Sequence, residues 1–289
     1  MRILHIITGL DDGGAEAVLF RICKLDKEYN HIVISLQGKQ KYVSLLKKCN
    51  ISVHTLNFSK TRINFFGLFK LFKLIKQLKP DVVQTWMPHA DLIGGVMARI
   101  VGVKNVFWGI HHTNLIKGKI NRIVVIIVKL NAILSSFVPT KIIYCAKKSR
   151  EVQESIGFKK NKGVVVHNGY DTNSFFQDSS LENDIRNELS ISNETFVIGH
   201  VGSYNPLKDQ ETLIKSLRYL DQKDINFNAI FVGKKLDSSN DNLNRLIEEN
   251  GLKERIHLLG IRNDILAIMN GIDIFMLSSV SEAFPNVLN

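Results

Sequence analysis

The 289-residue sequence predicts an α/β protein with two doubly wound parallel sheets that follow each other along the chain. Short β-branched runs alternate with longer helical stretches, a pattern typical of parallel sheets with crossover helices. The short runs are apolar throughout, as in strands that helices cover on both faces. A polar segment at residues 177–195 interrupts the alternation. We therefore expect one domain over residues 1–176 and a second over residues 177–289.

The first domain is predicted to contain alternating strands and helices, because apolar runs of strand length are separated by longer periodic stretches. The strands are expected at residues 2–8, 31–36, 52–56, 82–85, 105–110, 141–145 and 163–167. The helices are expected at residues 15–27, 39–49, 65–79, 90–101, 119–137 and 146–156.

The second domain is predicted to follow the same plan with fewer elements. Its strands are expected at residues 196–201, 229–232, 256–259 and 273–277. Its helices are expected at residues 209–220, 240–250 and 263–270, with one short helix in the polar segment before them. Because a doubly wound domain usually needs five or six strands, we expect this domain to be incomplete.

The composition is that of a globular protein, with 45% hydrophobic and 22% charged residues. The charge is uneven, since residues 1–170 carry a net charge of +18 and residues 171–289 a net charge of −7. A strongly basic half indicates an anionic partner: nucleic acid, a membrane surface or a phosphate-bearing substrate. The cysteines Cys23, Cys49 and Cys145 form no CxxC motif, which argues against a disulfide framework or structural zinc and favours a reducing compartment.

Two segments bear on membrane association. The N-terminal apolar run is too short for a signal peptide. The most apolar stretch, residues 120–138, contains Arg122, Lys129 and Asn131, so a buried or interfacial helix is expected rather than a membrane span.

Four lysines mark one side of the predicted helix at residues 65–79, namely Lys70, Lys73, Lys76 and Lys79. A lysine seam beside a wide apolar arc suits an interfacial helix on anionic lipid, and an outer helix of the sheet is the alternative. The charge of the first domain favours the membrane surface. Nucleic acid is not expected, because no DNA- or RNA-reading motif occurs.

Several loops at strand ends contain candidate site residues. Gly13 and Gly14 open the first helix, where a phosphate can bind to backbone N–H groups, although a tight turn explains the glycines equally well. His111 lies at the ligand-binding edge of the first sheet, and a surface histidine is the alternative. Lys208 precedes a helix N-terminus and can reach an anion there. Glu282 stands in a strand-end loop, where a helix cap or a solvated residue is the alternative.

No Asp-x-Asp occurs in the sequence, and clustered carboxylates of this kind are the usual ligands of a metal at a glycosyl- or phosphoryl-transfer site. We therefore expect no metal.

Four segments, in chain order, resemble the motifs of one enzyme family. Residues 13–16 (GGAE) resemble its turn after the first strand, and residues 166–175 (VHNGYDTNSF) its NGxD…F segment. Residues 202–209 (GSYNPLKD) are similar to its GRxxxxKD phosphate loop, and residues 273–288 resemble the start of its E-x7-E motif. Over essentially its whole length, the chain thus resembles the retaining GT-B glycosyltransferases of the group 1, or GT4, class.

The resemblance implies a GT-B fold, with two Rossmann-like domains facing a cleft, the donor held mainly by the second domain and the acceptor by the first. Lys208 is implied to neutralise the leaving diphosphate, and Gly13 and Gly14 to offer backbone N–H groups to it or to the sugar. His111 is implied to contact the sugar ring and Glu282 the sugar hydroxyls. The remaining implied donor-binding residues are Ser203, Phe284 and Pro285.

The chain departs from the family pattern at two positions. Ser203 stands where the family usually has Arg, so one phosphate-binding cation is missing. The second Glu of E-x7-E would fall at position 290, one past the last residue of the sequence.

The implied activity is transfer of a sugar from a UDP- or GDP-sugar to a lipid-linked glycan, in lipopolysaccharide or capsule synthesis, with retention of configuration and without a metal or cofactor. The implied location is cytoplasmic, peripheral at the inner face of the cell membrane, which agrees with the basic first half. A nucleotide-sugar 2-epimerase on the same fold and a non-catalytic, membrane-docked nucleotide-sugar-binding subunit are the alternatives.

Overall fold

The computed structural model describes residues 1–11, 13–38, 40–58, 65–112 and 120–288. The described chain forms two compact units. The first comprises Met1–Gly169 together with Glu282–Asn286, and the second comprises Tyr170–Ser281 together with residues 287–288.

The first unit is built on one parallel sheet, as the apolar strand runs predict. Its strands are β1 (Arg2–Ile7), β2 (Asn30–Ser35), β3 (Ser52–Thr55), β4 (Val82–Trp86), β5 (Asn105–Ile110), β6 (Lys141–Tyr144) and β7 (Gly163–Val165). Their order in the sheet is β3-β2-β1-β4-β5-β6-β7. The order changes direction between β1 and β4, and such a switch point is where parallel α/β sheets usually bind ligands.

Helices cover both faces of this sheet, because alternate residues of β1 contribute to different cores. Ile7 packs in one core with α1 (Gly14–Leu25) and α2 (Lys41–Lys48). Leu4 and Ile6 pack in the other core, with the remaining helices. Those helices are α3 (Phe65–Leu78), α4 (Pro88–Ala90), α5 (Val96–Val101), α6 (Arg122–Leu134) and α7 (Lys147–Ile156).

The predicted helix at residues 90–101 is interrupted. A π-helical turn, Asp91–Gly95, separates α4 from α5. Within this turn the fully buried Asp91 carboxylate accepts a hydrogen bond of 2.6 Å from the Thr85 hydroxyl. A polar side chain in the core requires a hydrogen-bond partner, and Thr85 provides it. This tertiary contact forms at the first residue of the π-helical turn, where the helix departs from regular geometry. Burial also raises the pKa of Asp91 well above its usual value.

The second unit has a smaller parallel sheet with the order β10-β9-β8-β11. Its strands are β8 (Phe196–Val201), β9 (Phe227–Val232), β10 (Ile256–Gly260) and β11 (Ile274–Phe275). Its helices are α8 (Ser179–Glu188), which lies in the polar segment as predicted, α9 (Gln210–Asp221), α10 (Asp241–Glu249) and α11 (Ile265–Asn270).

Strand β11 is shorter than the five residues predicted, since residues 273, 276 and 277 lie outside it. The Asp273 carboxylate accepts a hydrogen bond of 2.7 Å from the Val197 backbone N–H. The same carboxylate lies 3.1 Å from the buried Arg186 guanidinium. A side chain therefore binds the Val197 N–H immediately before β11.

No helix among the described residues combines the length and apolar character that a membrane span requires. Two helices are predicted to begin at Lys39 and at Lys119. Both of these residues lie outside the described residues.

Candidate functional site

The predicted glycine turn lies between β1 and α1, at the switch point of the first sheet. Gly13 is the N-cap of α1 in extended conformation, and its carbonyl accepts the first helical hydrogen bond, from Ala17. The N–H groups in the first turn of a helix have no acceptor within the helix, and the helix dipole favours an anion there. This local geometry suits binding of a phosphate or a sugar oxygen.

The segment Glu282–Asn286 belongs to the first unit, and Asn286 lies beside this turn. The Asn286 amide oxygen accepts a hydrogen bond of 2.8 Å from the Asn168 side chain. A Cβ added to Gly14 would lie 2.6 Å from Asn286 Nδ2, so the amide approaches the turn closely because residue 14 has no side chain. Phe284 packs on the His167 ring, with 5.7 Å between centroids. The structure thus places two implied donor-binding residues in this part of the first unit, with Gly14 beside Asn286 and Phe284 on His167.

The implied sugar-binding residue His111 directly follows β5. Its imidazole stacks on the Trp86 indole, with 4.9 Å between ring centroids and 16° between planes. Burial, with a smaller contribution from His112, lowers the pKa of His111 to about 4. At neutral pH the ring is therefore uncharged and can both donate and accept a hydrogen bond. That property suits contact with sugar hydroxyls.

His112 also lies in buried surroundings. Burial lowers its pKa to about 4. Neither ring nitrogen has a hydrogen-bond partner among the residues that the structure describes. Its backbone carbonyl accepts a hydrogen bond of 2.7 Å from the Ser149 hydroxyl, which fixes the loop beyond β5.

The backbone at Met87, one residue after Trp86, is strained. Its φ is 73° and its ψ is 157°, a region that residues other than glycine rarely adopt. Such a conformation costs about 1–3 kcal/mol and persists only where the surroundings enforce it. Strain therefore sits at the carboxyl end of β4, beside the His111 stack.

The predicted phosphate loop of the second unit, residues 202–208, is held by backbone and side-chain contacts. The N–H of Tyr204 donates to the Lys234 carbonyl at 2.9 Å. Ser203 is tied into the loop, since its hydroxyl lies 2.9 Å from the Asn205 amide nitrogen. The Lys208 carbonyl accepts a hydrogen bond of 2.8 Å from the Ser278 hydroxyl. This loop runs into the N-terminus of α9, where an anion is favoured.

Two residues behind the loop fix its backbone. The Gln210 amide nitrogen lies 3.1 Å from the Ser203 carbonyl and 3.2 Å from His200 Nε2. A Cβ added to Gly233 would lie 2.0 Å from the Gly202 carbonyl oxygen, and Gly233 also has a φ of 141°. The approach of two backbones explains why residue 233 is glycine.

The lysines proposed to meet a membrane are all exposed. Lys70, Lys73 and Lys76 lie on α3, and Lys79 directly follows its last residue. The Lys73 ammonium lies 4.6 Å from the centroid of the Phe69 ring, so part of this cationic seam covers aromatic surface.

One group of side chains has the composition of a metal site. Ligand atoms of His5, Cys23 and His31 lie within 4.8 Å of one another, and all three side chains are buried. The indole N–H of Trp86 donates to His5 Nδ1 at 3.2 Å, so the proton of neutral His5 is on Nε2, the atom that would have to ligate. Burial also raises the pKa of the Cys23 thiol to about 12, and a metal binds the thiolate. The group therefore fits a hydrogen-bonded chain better than a metal.

Sequence reasoning missed several of these residues. Asn286 lies inside the motif at residues 273–288, and its side-chain amide could have marked it as a hydrogen-bonding residue. The partners Trp86 and His5 gave no signal, because they come from different strands and meet only in the sheet. Gly233 follows an apolar strand run, which is the pattern that could have marked it.

Two family models match the sequence. The model for "Glycosyltransferase Family 4" matches residues 12–174, which is more than half of the chain. The model for "Glycosyl transferases group 1" matches residues 182–289.

Two curated relatives have named activities. The UDP-Gal:alpha-D-GlcNAc-diphosphoundecaprenol alpha-1,3-galactosyltransferase of Escherichia coli is 26% identical over 76% of this chain. The matched region spans 57% of the length of that protein. The N,N'-diacetylbacillosaminyl-diphospho-undecaprenol alpha-1,3-N-acetylgalactosaminyltransferase of Campylobacter jejuni is 23% identical over 96% of this chain and 75% of that protein.

The fold is also that of solved proteins. The crystal structure of Anabaena Alr3699/HepE in complex with UDP and glucose superposes with a TM-score of 0.84, at 23% identity, over 99% of this chain and 77% of that one. The predicted GT-B fold with two Rossmann-like domains is thereby confirmed.

Proposed function

We propose that this chain, which belongs to glycosyltransferase family 4, transfers a sugar from a UDP- or GDP-sugar to a lipid-linked saccharide during synthesis of a cell-surface polysaccharide such as lipopolysaccharide or capsule. One observation carries the proposal. Each unit presents a helix N-terminus after the first strand of a parallel sheet, at Gly13–Gly14 for α1 and at Asp209–Gln210 for α9, directly after Lys208. Helix N-termini of this kind stabilise phosphate and other anionic groups.

The proposed chemistry is departure of a nucleoside diphosphate from the sugar, with retention of configuration at the anomeric carbon. Lys208 and the N-terminus of α9 stabilise the negative charge that develops on the diphosphate, which is electrostatic catalysis by preorganised donors. No Asp-x-Asp occurs in the sequence, so we assign the charge stabilisation to protein groups rather than to a metal. The leaving phosphate takes the proton of the acceptor hydroxyl.

The remaining residues are assigned to donor binding. Gly13 and Gly14 offer backbone N–H groups, and the neutral His111 imidazole contacts the sugar ring. Glu282 accepts hydrogen bonds from sugar hydroxyls. The other members of the proposed donor site are Ser203, Phe284 and Pro285. Since Ser203 brings no charge, Lys208 is the principal cation of the proposed phosphate site.

A lipid-linked acceptor requires access to a membrane surface, and two helices of the first unit suit that role. The apolar side chains at the start of α3 are exposed, with Phe65 at 87% and Phe66 at 84%. Helix α6 exposes apolar side chains three or four residues apart, namely Ile123, Ile126, Leu130 and Ile133, and Phe137 just beyond its end is exposed as well. Both helices pack on the same core of the first unit. We place the protein peripherally at the cytoplasmic face of the cell membrane on these grounds.

The test is incubation of the chain with UDP- and GDP-sugars, with and without a polyprenyl-diphosphate-linked saccharide, and measurement of nucleotide release and of the glycosylated lipid. Transfer of an α-linked sugar from an α-linked donor is expected. Absence of both transfer and donor hydrolysis with every nucleotide sugar contradicts a transferase, and an epimerised free sugar without acceptor indicates the 2-epimerase instead.

The substitution Lys208→Ala tests the phosphate loop. A charge-assisted hydrogen bond contributes about 1.5–3 kcal/mol, so Kd for UDP or GDP should rise roughly tenfold to hundredfold. The control is Lys253→Ala, an exposed lysine of the same unit that pairs with Glu248. Its Kd should stay within about twofold, in line with a surface ion pair. An equal Kd for UDP or GDP in Lys208→Ala and in the unsubstituted protein would show that Lys208 is not part of the phosphate site.

A further inference from the structure

A chain of three hydrogen bonds crosses the core of the first unit and ends at the partner of His111. The indole N–H of Trp86 donates to His5 Nδ1 at 3.2 Å. His5 Nε2 lies 2.9 Å from His31 Nδ1, and His31 Nε2 lies 3.0 Å from the Asp26 carboxylate. The first three side chains are almost completely buried, whereas Asp26 is partly exposed at the end of α1.

Elementary donor and acceptor chemistry gives this chain one direction. The indole can only donate, so His5 accepts at Nδ1 and has its proton on Nε2. His5 then donates to His31 Nδ1, which leaves the proton of His31 on Nε2, facing Asp26. The ionised carboxylate can only accept. Every ring nitrogen of His5 and His31 therefore has a hydrogen-bond partner, and the chain has one direction from the indole to the carboxylate.

Strand order and register bring the chain together. His31 pairs with Ile3 in the register of β2 on β1, and Trp86 pairs with Ile7 in the register of β4 on β1. His5 lies between these two positions on the central strand. Side chains at every second position share a face, so the three rings follow a diagonal across three neighbouring strands.

Two further observations connect this chain with the candidate site. The Trp86 indole also stacks on the His111 imidazole, with 4.9 Å between the ring centroids. The strained Met87 backbone follows Trp86 directly, with a φ of 73°. Strain of this kind persists where neighbouring contacts fix the chain, and the hydrogen-bonded indole is such a contact.

We infer that Asp26, His31 and His5 are positioning residues, which hold the Trp86 indole in the orientation on which His111 stacks. A buried indole N–H without an acceptor is unfavourable, so the ring keeps the one orientation in which His5 accepts its hydrogen bond. The effect of this chain on turnover rests on the proposed function of His111 in sugar binding. Its effect on the His111 ring does not.

The first test is the substitution His5→Leu, which removes the acceptor and keeps a side chain of similar volume. Ring protons of His111 lie in the shielding region of the indole, and they should move downfield in the NMR spectrum of the variant. His111→Gln assigns these signals. The matched control is Cys23→Ala, which opens the same core and leaves the three hydrogen bonds in place. It should leave the His111 signals unchanged. Unchanged His111 signals in folded His5→Leu overturn the inference.

Asp26→Ala provides a second test if His5→Leu does not fold, because Asp26 lies at the partly exposed end of the chain. The same downfield movement, of smaller size, is expected. His111 signals identical to those of the unsubstituted protein overturn the inference here as well.

Turnover gives an independent readout. His5→Leu should lower kcat about tenfold with little change in Kd for the nucleotide sugar, since misplacement of a contacting group costs rate rather than binding. In the His111→Gln background the same change should lower kcat no further. Full additivity of the two substitutions contradicts the inference. If the unsubstituted protein shows no turnover with any nucleotide sugar, the proposed function fails, and the NMR result alone decides on the positioning chain.

Discussion

Three histidines of the first unit lie where burial disfavours the imidazolium form. Burial, with a smaller effect of His31, lowers the pKa of His5 to about 3. Burial likewise lowers the pKa of His111 and of His112 to about 4. Desolvation therefore keeps His111 uncharged at neutral pH, so its proposed contact with a sugar is a hydrogen bond rather than a charge interaction.

These pKa values predict acid sensitivity. In the unfolded chain the three histidines bind protons below about pH 6.5, whereas in the folded chain they do so only near pH 3–4. Their contribution to stability is complete above pH 6.5 and is lost as the pH falls from there toward 4. The free energy of unfolding should fall by about 1.4 kcal/mol per pH unit for each histidine. Urea unfolding at about pH 7, 6 and 5 measures the slope.

His112→Leu serves as the control for this slope. Neither ring nitrogen of His112 has a partner among the described residues, so loss of the imidazole sacrifices no hydrogen bond there. The variant should lose about a third of the pH dependence attributed to the three histidines. A slope equal to that of the unsubstituted protein would show that His112 titrates normally in the folded chain.

At the scale of single elements, the loop between β8 and α9 depends on its neighbour, the end of β9. The N–H of Gly202 donates to the Val232 carbonyl at 2.8 Å, and the N–H of Gly233 donates to the Gly260 carbonyl at 2.7 Å. Three strand ends are thus joined behind the proposed phosphate site. The loop geometry follows from this backbone packing.

The substitution Gly233→Ala should therefore destabilise the second unit strongly. The new Cβ would lie 2.0 Å from the Gly202 carbonyl oxygen, and alanine is strained at a φ of 141°. We expect a loss of about 3 kcal/mol or more in urea unfolding, together with weaker UDP binding.

Gly251→Ala is the matched control, since Gly251 has a φ of 71° but no atom within 4 Å of the added Cβ. It should cost only about 1 kcal/mol, the penalty for alanine in the left-handed region. Similar losses for both glycines would show that the close backbone approach is not what requires Gly233.

For the whole molecule, charge is the dominant asymmetry. The first 170 residues carry +18 and the remainder −7. Neither residues 65–78 nor residues 122–134 contain an acidic residue, and both helices expose apolar side chains. A surface that combines exposed apolar groups with unopposed cations suits anionic lipid better than an aqueous partner.

Replacement of four lysines by Gln tests whether the α3 surface binds a membrane. The lysines are Lys70, Lys73, Lys76 and Lys79. Each lysine near an anionic membrane contributes about 1 kcal/mol, so binding to vesicles containing phosphatidylglycerol should fall at least about tenfold. Phosphatidylcholine vesicles should bind both proteins weakly. Sedimentation of protein with vesicles measures the partition.

The control replaces four exposed lysines of the second unit, namely Lys215, Lys223, Lys235 and Lys253. Its vesicle binding should change by less than about twofold, because this unit carries net negative charge. Equal losses in the two variants would mean that net charge alone, and not the α3 surface, sets membrane binding.

Much of the fold could be predicted because its signals are local. Apolar runs such as residues 105–110 mark strands buried on both faces, and the polar segment containing α8 marks the interruption between the sheets. Local signals fail where tertiary contacts take over. The π-turn at Asp91 accompanies a hydrogen bond from Thr85, and β11 begins one residue later than predicted, where Asp273 binds the Val197 N–H.

The sequence by itself determined the two α/β sheets, the family and the identity of the loops at the strand ends, because periodicity and motif spacing are properties of neighbouring residues. Only the tertiary structure decided which side chains meet. His31, His5 and Trp86 are far apart in the chain, and strand order together with register places them in one hydrogen-bonded line. Asn286 reaches Gly14 in the same way, through packing of segments that no sequence period connects.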